Sequence, residues 1–169
     1  MNQAAQPASD PLRSANDAVG PRELVQRPVI TVATIIEREG RFLVIEEQTR
    51  AGVRLNQPAG HVEAGESLVA AAARETLEEA ACQVNPVALV GVYHWQAPMN
   101  GTYVRFTFAA EARVHEPTRQ LDAGIVRALW LTYDEIAARR QVHRSPFVLR
   151  SLDDYLAGRR FPLGLIASL

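Results

Sequence analysis

Three glutamates, Glu75, Glu78 and Glu79, crowd into one short stretch of "QPAGHVEAGESLVAAAARETLEEAAC", residues 57 to 82. On a helix of 3.6 residues per turn, Glu75 and Glu79 lie about 40° apart around the axis and Glu78 about 60° to the other side of Glu75. All three carboxylates therefore share an arc of roughly 100°. Like charges at these spacings destabilise an isolated helix by a few tenths of a kcal/mol per pair. Arg74 is the only guanidinium in the segment, and the chain contains no lysine, so one cation cannot compensate all three acids. A hard divalent cation would resolve the repulsion, because Mg²⁺ takes oxygen ligands and is held by one or two carboxylates together with substrate phosphates. The bland alternative is a solvated polar face, and the residues around the acids decide between the two.

Those acids need a helix and a loop to present them. "PAGHVEAGES" breaks regular structure twice at glycine and supplies Ser67 as an N-cap, which predicts a helix from about Leu68 to Ala81. Before it, the β-branched run "VITVATII" (29–36), the turn "EREG" and the alternating "RFLVIEE" (41–47) predict a hairpin, followed by a loop with a short extended stretch in "RAGVRLN". After it come strand candidates at Val87–Trp95, Thr102–Val114 and Ile125–Leu131. "TYDE" (132–135) is a capping-box signature for a short helix. "SPFVLRSLDDYLAG" offers Ser145 as N-cap, Pro146 at the first helical position and Gly158 past the end. Strands, a central helix, more strands and then helices predict an α/β (α+β) fold, an α/β/α sandwich whose mixed sheet has helices on both faces.

Composition narrows the function classes. A chain of 169 residues with 47% hydrophobic residues suits one domain with its own core. Residues 1–27 are rich in Ala, Pro, Ser, Asn and Gln and lack aromatics, which predicts a flexible tail before a domain spanning 28–169. A formal net charge of -1 leaves no broad electrostatic footprint for a nucleic acid polymer or a membrane surface. Without lysine, a Schiff-base mechanism and a GK[ST] phosphate loop are both excluded. The single Cys82 forms no internal disulfide, no secretory signal pattern or membrane-length apolar run is present, and a reducing, cytoplasmic setting is expected. The four histidines lack paired ligand spacing, so zinc is not indicated.

Gly60, five residues, Glu66, seven residues, then Arg74-Glu75-Thr76-Leu77-Glu78-Glu79 closely resembles the Nudix box, G-x5-E-x7-R-E-U-x-E-E-x-G-U. Six matches at set positions arise by chance on the order of once in 10⁵ such chains, so coincidence is a poor account. The resemblance implies a loop-helix-loop that binds Mg²⁺ or Mn²⁺ and cleaves a diphosphate linked to another group. It implies Glu79, Glu78 and Glu75 as metal ligands with the Gly60 carbonyl, Glu75 alternatively as a base for water, and Arg74 with Glu66 as the brace that orients them. Two positions depart from the pattern: Thr76 replaces a bulky aliphatic, and Ala81 replaces a glycine. Ala81 disfavours the left-handed conformation that ends many helices by roughly 1 kcal/mol.

Outside the box, "NQPAGH" with His61, "HW" at 94–95, "VRFTFA" around Arg105 and the tail from "RSPF" onward are similar to the NudJ-type phosphatases of that superfamily. That likeness implies release of orthophosphate from nucleoside di- and triphosphates or small heterocyclic diphosphates, with His61, Trp95 and Arg105 as substrate-binding residues. Trp95 either stacks on a heterocycle or is a core aromatic at a strand end. Arg105 either meets a phosphate with its planar fork or lies on a solvated strand face. Asp122 is either an additional acid of the metal site or a plain loop cap. A small-molecule diphosphate is the expected partner, and monomer and homodimer both remain open. Cleavage of ADP-ribose or a nucleotide sugar at its internal bond is a second enzymatic reading. A catalytically idle ligand sensor is a third, against which all five charged residues of the box are present.

Overall fold

The computed structural model describes residues 27–98 and 101–167. The expected flexible segment over 1–27 lies, apart from Arg27, outside them. The described chain runs β1 (Val29–Ile35), β2 (Glu37–Arg38), β3 (Arg41–Thr49), β4 (Gly52–Asn56), β5 (Ala59–His61), α1 (Leu68–Ala80), β6 (Cys82–Ala97), β7 (Gly101–His115), β8 (Ile125–Thr132), α2 (Tyr133–Ala137) and α3 (Phe147–Leu156).

The strands form two sheets. One is mixed, in the order β5-β1-β7-β6, with β1 parallel to β7 and antiparallel to β5. In the other, β8 runs antiparallel along one edge of β3 while β2 and β4 pair antiparallel with the opposite edge. The hairpin expected between 29–36 and 41–47 therefore does not form. Only β2 and the adjoining Ile36, whose carbonyl accepts the Leu43 N–H at 3.0 Å, fold back on β3, through a turn in which Glu39 (φ 53) and Gly40 (φ 73) are both left-handed, as a two-residue turn between twisted antiparallel strands demands. The run of β1 instead crosses to the middle of the mixed sheet, where Thr31–Ile35 are buried on both faces; such a strand is largely apolar, here with Thr31 and Thr34 as its polar members.

On one face of that sheet, Val32, Leu89 and Phe108 pack beneath Ala71 and Ala72 of α1. On the other, Ile35, Val90 and Ala109 meet Phe42, Val44 and Leu55 of the second sheet together with Ile136, Val148 and Leu152 of α2 and α3. Helices thus flank a mixed sheet, as the order of elements implied. No helix of the described residues is long and apolar enough to cross a membrane.

Helix α1 begins as expected, with the Ser67 side chain accepting from the Ala70 N–H. Its end resolves both departures from the box. Ala81 adopts the left-handed conformation despite its Cβ (φ 50, ψ 33), and its N–H donates to Leu77 O at 3.1 Å. Thr76 is fully buried, and its Oγ1 lies 2.7 Å from Thr34 Oγ1 of β1 and donates to Ala72 O at 2.7 Å. A pair of hydroxyls thereby replaces an apolar contact between helix and sheet, satisfying both groups. At α2 the capping box between Thr132 and Glu135 is present on both sides. At α3 the expected Ser145 cap is absent: no side chain caps the helix, and Ser145 Oγ has no hydrogen-bond partner. Gly158 does lie just past the end with φ +79.

Candidate active site

A cavity of about 380 Å³ opens between the sheets where α1, β5 and the start of α3 converge. One wall carries the acids Glu75, Glu79 and Asp122 beside Gly60 and His61; the other carries Trp95, Tyr103 and Phe147, with Thr31, Asn56, Glu47, Arg105, Arg144 and Ser145 between.

Helix α1 positions the acid wall. Its register is braced by Arg74, whose guanidinium forms a fork with Glu66 (Nε to Oε2 at 3.1 Å, Nη2 to Oε1 at 2.7 Å). The same guanidinium donates through Nη1 to Glu75 Oε1 and Glu78 Oε2, both at 2.9 Å, and through Nη2 to His61 O at 2.9 Å. One planar cation with five donors is thus shared among three carboxylates and a carbonyl. These bonds hold the arginine proton far more tightly than usual, Glu66 most of all, and the Arg74 bond in turn draws the Glu66 carboxyl below its ordinary range. Glu66 Oε1 also accepts the Glu63 N–H at 2.7 Å, tying the loop to the brace.

The three helix acids therefore have unequal surroundings, which spacing alone does not disclose. Glu78 is turned to Arg74 and does not line the cavity. Glu75 does line it, its carboxylate lying against the α-carbon of Gly60 so closely that any side chain at position 60 would overlap it. Burial raises the Glu75 carboxyl, and Arg74 opposes that rise. Glu79 is left outside the arginine's reach. Burial pushes its carboxyl up to about 8, with the Ala59 N–H at 2.8 Å the opposing influence and Glu75, Glu47 and Asp122 adding repulsion. With no cation beside it, Glu79 holds a proton more readily than an ordinary carboxyl.

Asp122 is exposed at the cavity rim, and its backbone N–H donates to Glu78 O at 3.0 Å, docking the loop before β8 onto the end of α1. Among the described residues no three His, Cys, Asp or Glu side chains converge as they would around an ion, since Arg74 holds oxygens of Glu75 and Glu78.

The opposite wall is built by register. Trp95 on β6 faces Tyr103 on β7 as a cross-strand pair, and Tyr93 faces Arg105 one step along. The Trp95 and Tyr103 rings lie 6.0 Å apart, and Phe147, brought in by α3, meets Trp95 edge-on at 5.6 Å. Arg105 is buried rather than solvated. Its guanidinium lies 4.8 Å over the Phe147 ring and, among the described residues, makes only two long hydrogen bonds, to Thr31 Oγ1 and Asn56 Oδ1, each at 3.4 Å. Burial lowers its pKa to about 10, with Glu47 and Glu79 acting to raise it.

Of the residues singled out from sequence, Gly60, His61, Glu75, Glu79, Trp95, Arg105 and Asp122 come together in one cavity, while Glu66, Arg74 and Glu78 form the brace behind it. Sequence reasoning missed Thr31, Asn56, Glu47, Tyr103, Arg144, Ser145 and Phe147. Usable signals lay in "NQPAGH", which carries Asn56, and in "RSPF", which carries Arg144, Ser145 and Phe147, segments noted for their likeness to the NudJ-type phosphatases without these four being read as site residues.

Residues 25–151 match the family model described as the NUDIX domain. Phosphatase NudJ from Escherichia coli (strain K12) is 40% identical over 140 residues, covering 83% of this chain and 91% of that protein. The protein of the same name from Shigella flexneri matches equally well. A NUDIX hydrolase from Nitrosomonas europaea superposes with a TM-score of 0.83 at 46% identity, covering 85% of this chain and 98% of that one. A UDP-X diphosphatase, at 17% identity and a TM-score of 0.66, shares the fold. The spacing of the acids, the brace behind them and the match across most of the chain agree, and this protein belongs to the Nudix family of diphosphate hydrolases.

Proposed function

We propose that this protein uses a divalent cation, Mg²⁺ or Mn²⁺, to hydrolyse the terminal phosphoanhydride of nucleoside diphosphates or of small heterocyclic diphosphates, releasing orthophosphate. The observation that carries the reading is the sharing of one cavity by an acid wall and an aromatic wall with a buried guanidinium between them. The name of the 40%-identical relative, a phosphatase, supports orthophosphate as the product.

The donor set suits a hard cation. Every side chain offered by the acid wall apart from His61 ends in a carboxylate, and a buried carboxyl raised to about 8 that accepts one backbone N–H is a ligand short of a partner. Glu79, Glu75, the Gly60 carbonyl and Asp122 would hold the ion, with Glu78 joining if Arg74 yields it. When bound, the cation supplies charge neutralisation at the phosphoryl oxygens and draws electron density from phosphorus. The remaining work is positioning and electrostatics. Arg74 and Glu66 keep α1 in register with the Gly60 loop. Arg105, itself buried, offers its planar fork to one phosphate, and a charge-assisted hydrogen bond is stronger away from bulk water. Trp95 takes a heterocycle on its face, a contact of about 1 to 3 kcal/mol. A short diphosphate gripped at those two points would present its terminal phosphoryl group to the glutamates, with Glu75 serving either as a ligand of the ion or as the base for the attacking water.

Turnover of a nucleoside diphosphate in ¹⁸O-water tests the assignment. Label should enter orthophosphate, activity should vanish in EDTA, and added Mg²⁺ should restore it. Label confined to the nucleoside monophosphate overturns the choice of bond, and full turnover in chelator overturns the metal chemistry.

A further inference from the structure

Between the acid wall and the aromatic wall lies a short segment with no role so far. Ser145 lines the cavity at 9% exposure, yet its hydroxyl has no partner. Buried hydroxyls are nearly always satisfied by protein, water or ligand, so an orphan that lines a cavity is open to a partner that enters it. Two residues later α3 begins with no side-chain cap, leaving the positive end of its dipole uncompensated at the cavity. Arg144 precedes Ser145 and pairs with Glu47 through Nε at 3.3 Å; among the described residues neither terminal nitrogen of its guanidinium donates a hydrogen bond. Glu47 also accepts from Asn56 Nδ2 at 3.2 Å, and Asn56 accepts from Arg105. This relay holds two guanidiniums along one side of the cavity, each with donors to spare.

We propose that Arg144, Ser145 and the start of α3 form an anion subsite that binds the phosphate left uncleaved, the one adjoining the organic group. The inference rests on the hydrolase reading for the identity of the anion and narrows its substrate class. Phe147, two residues beyond Ser145, belongs to the aromatic wall, so one turn of chain grips phosphate and ring together. That favours a diphosphate monoester of a planar heterocyclic alcohol over a long dinucleotide. The subsite contacts a group that does not react, and such contacts hold ground state and transition state alike.

The test pairs kinetics with binding, using Ser145→Ala, Arg144→Gln and Arg144→Lys in the full chain. With a nucleoside diphosphate and Mg²⁺, Ser145→Ala and Arg144→Gln should each raise KM about tenfold while kcat stays within about threefold, the pattern of lost uniform binding. Arg144→Lys should recover part of the loss, since it keeps the charge without the fork. Methylenediphosphonate, whose P–C–P bridge resists hydrolysis, should bind each of the first two variants about tenfold more weakly than wild type in calorimetric titration with Mg²⁺. Wild-type affinity in both variants, or a fall in kcat at unchanged KM, overturns the subsite while hydrolysis by the wild type still stands. If the wild type hydrolyses no diphosphate but binds the diphosphonate through these residues, the hydrolase reading falls and the subsite remains.

Discussion

Replacing Glu79 by glutamine should stabilise the cation-free protein at alkaline pH while abolishing its turnover. Burial raises the Glu79 carboxyl from about 4.5 to about 8 in the fold. The folded state then binds the proton more tightly than the unfolded chain, so stability falls as pH rises. The contribution is complete below about 4.5, where the carboxyl is protonated in both states, declines between about 4.5 and 8, and is lost above about 8. At 1.36 kcal/mol per pH unit, the ionised carboxylate costs the fold at most on the order of 5 kcal/mol at pH 9. Glutamine keeps an oxygen to accept the Ala59 N–H, which Glu79 meets at 2.8 Å, and removes the charge. Its amide donors lack an assured partner, which offsets about 1 to 3 kcal/mol. The net gain should be about 2 kcal/mol at pH 9, or roughly 4 to 8 °C in Tm, and at pH 5 the glutamine variant should be no more stable than wild type. Urea denaturation in EDTA at pH 5, 7 and 9 reads both chains, and their difference isolates Glu79 from Glu75, whose carboxyl is also raised by burial. A difference between the two chains that does not change with pH would refute the argument that Glu79 is buried without a compensating charge.

Four other substitutions follow from the contacts and backbone angles described above. Gly60→Ala should cost about 1 to 3 kcal/mol in a thermal melt, because the Glu75 carboxylate must move off its bond to Arg74, and should lower kcat about a hundredfold by displacing that carboxylate. Thr76→Val strands the Thr34 hydroxyl and should destabilise by about 1 to 3 kcal/mol. The double Thr34→Val, Thr76→Val should fall within about 1 kcal/mol of wild type, since both partners become apolar together; a double-mutant cycle without coupling would break that account. Glu39→Asn should stabilise the β2–β3 turn by about 0.5 to 1 kcal/mol in urea, because asparagine tolerates the left-handed φ of 53 far better than glutamate.

Much of the acid wall is legible before any fold is known, for a geometric reason. Residues on one helix are related by the fixed period of the backbone, so the shared arc of Glu75, Glu78 and Glu79 follows from spacing, while the brace Arg74–Glu66 is what the likeness to the Nudix box implied. Local capping chemistry carries the start of α1 and the box at Thr132 and Glu135 in the same way, since each involves residues three apart. Even these local signals leave open which acid is buried. Equal spacing gave Glu75, Glu78 and Glu79 equal standing; the position of Arg74 and the depth of the cavity separate Glu78, drawn to the guanidinium, from Glu79, whose carboxyl burial raises.

The rest belongs to tertiary structure, because strand partnership is a long-range choice. Nothing in "VITVATII" states that β1 will lie beside β7, some seventy residues on, rather than fold back on its neighbour β3. That choice puts Thr31 next to Arg105, and the second sheet then brings Asn56 and Glu47 to the same cavity. Arg105 read alone is equally a solvated strand residue, and only the arrival of α3 places Phe147 against it and buries it. Ser145 carries the signature of a helix cap, and the fold leaves its hydroxyl unpartnered beside the cavity instead. The sequence by itself put Glu75 and Glu79 on one face of one helix, because backbone periodicity groups residues of a single helix. The tertiary structure decided what faces the acid wall, because the opposing residues meet only through the packing of two sheets and a distant helix.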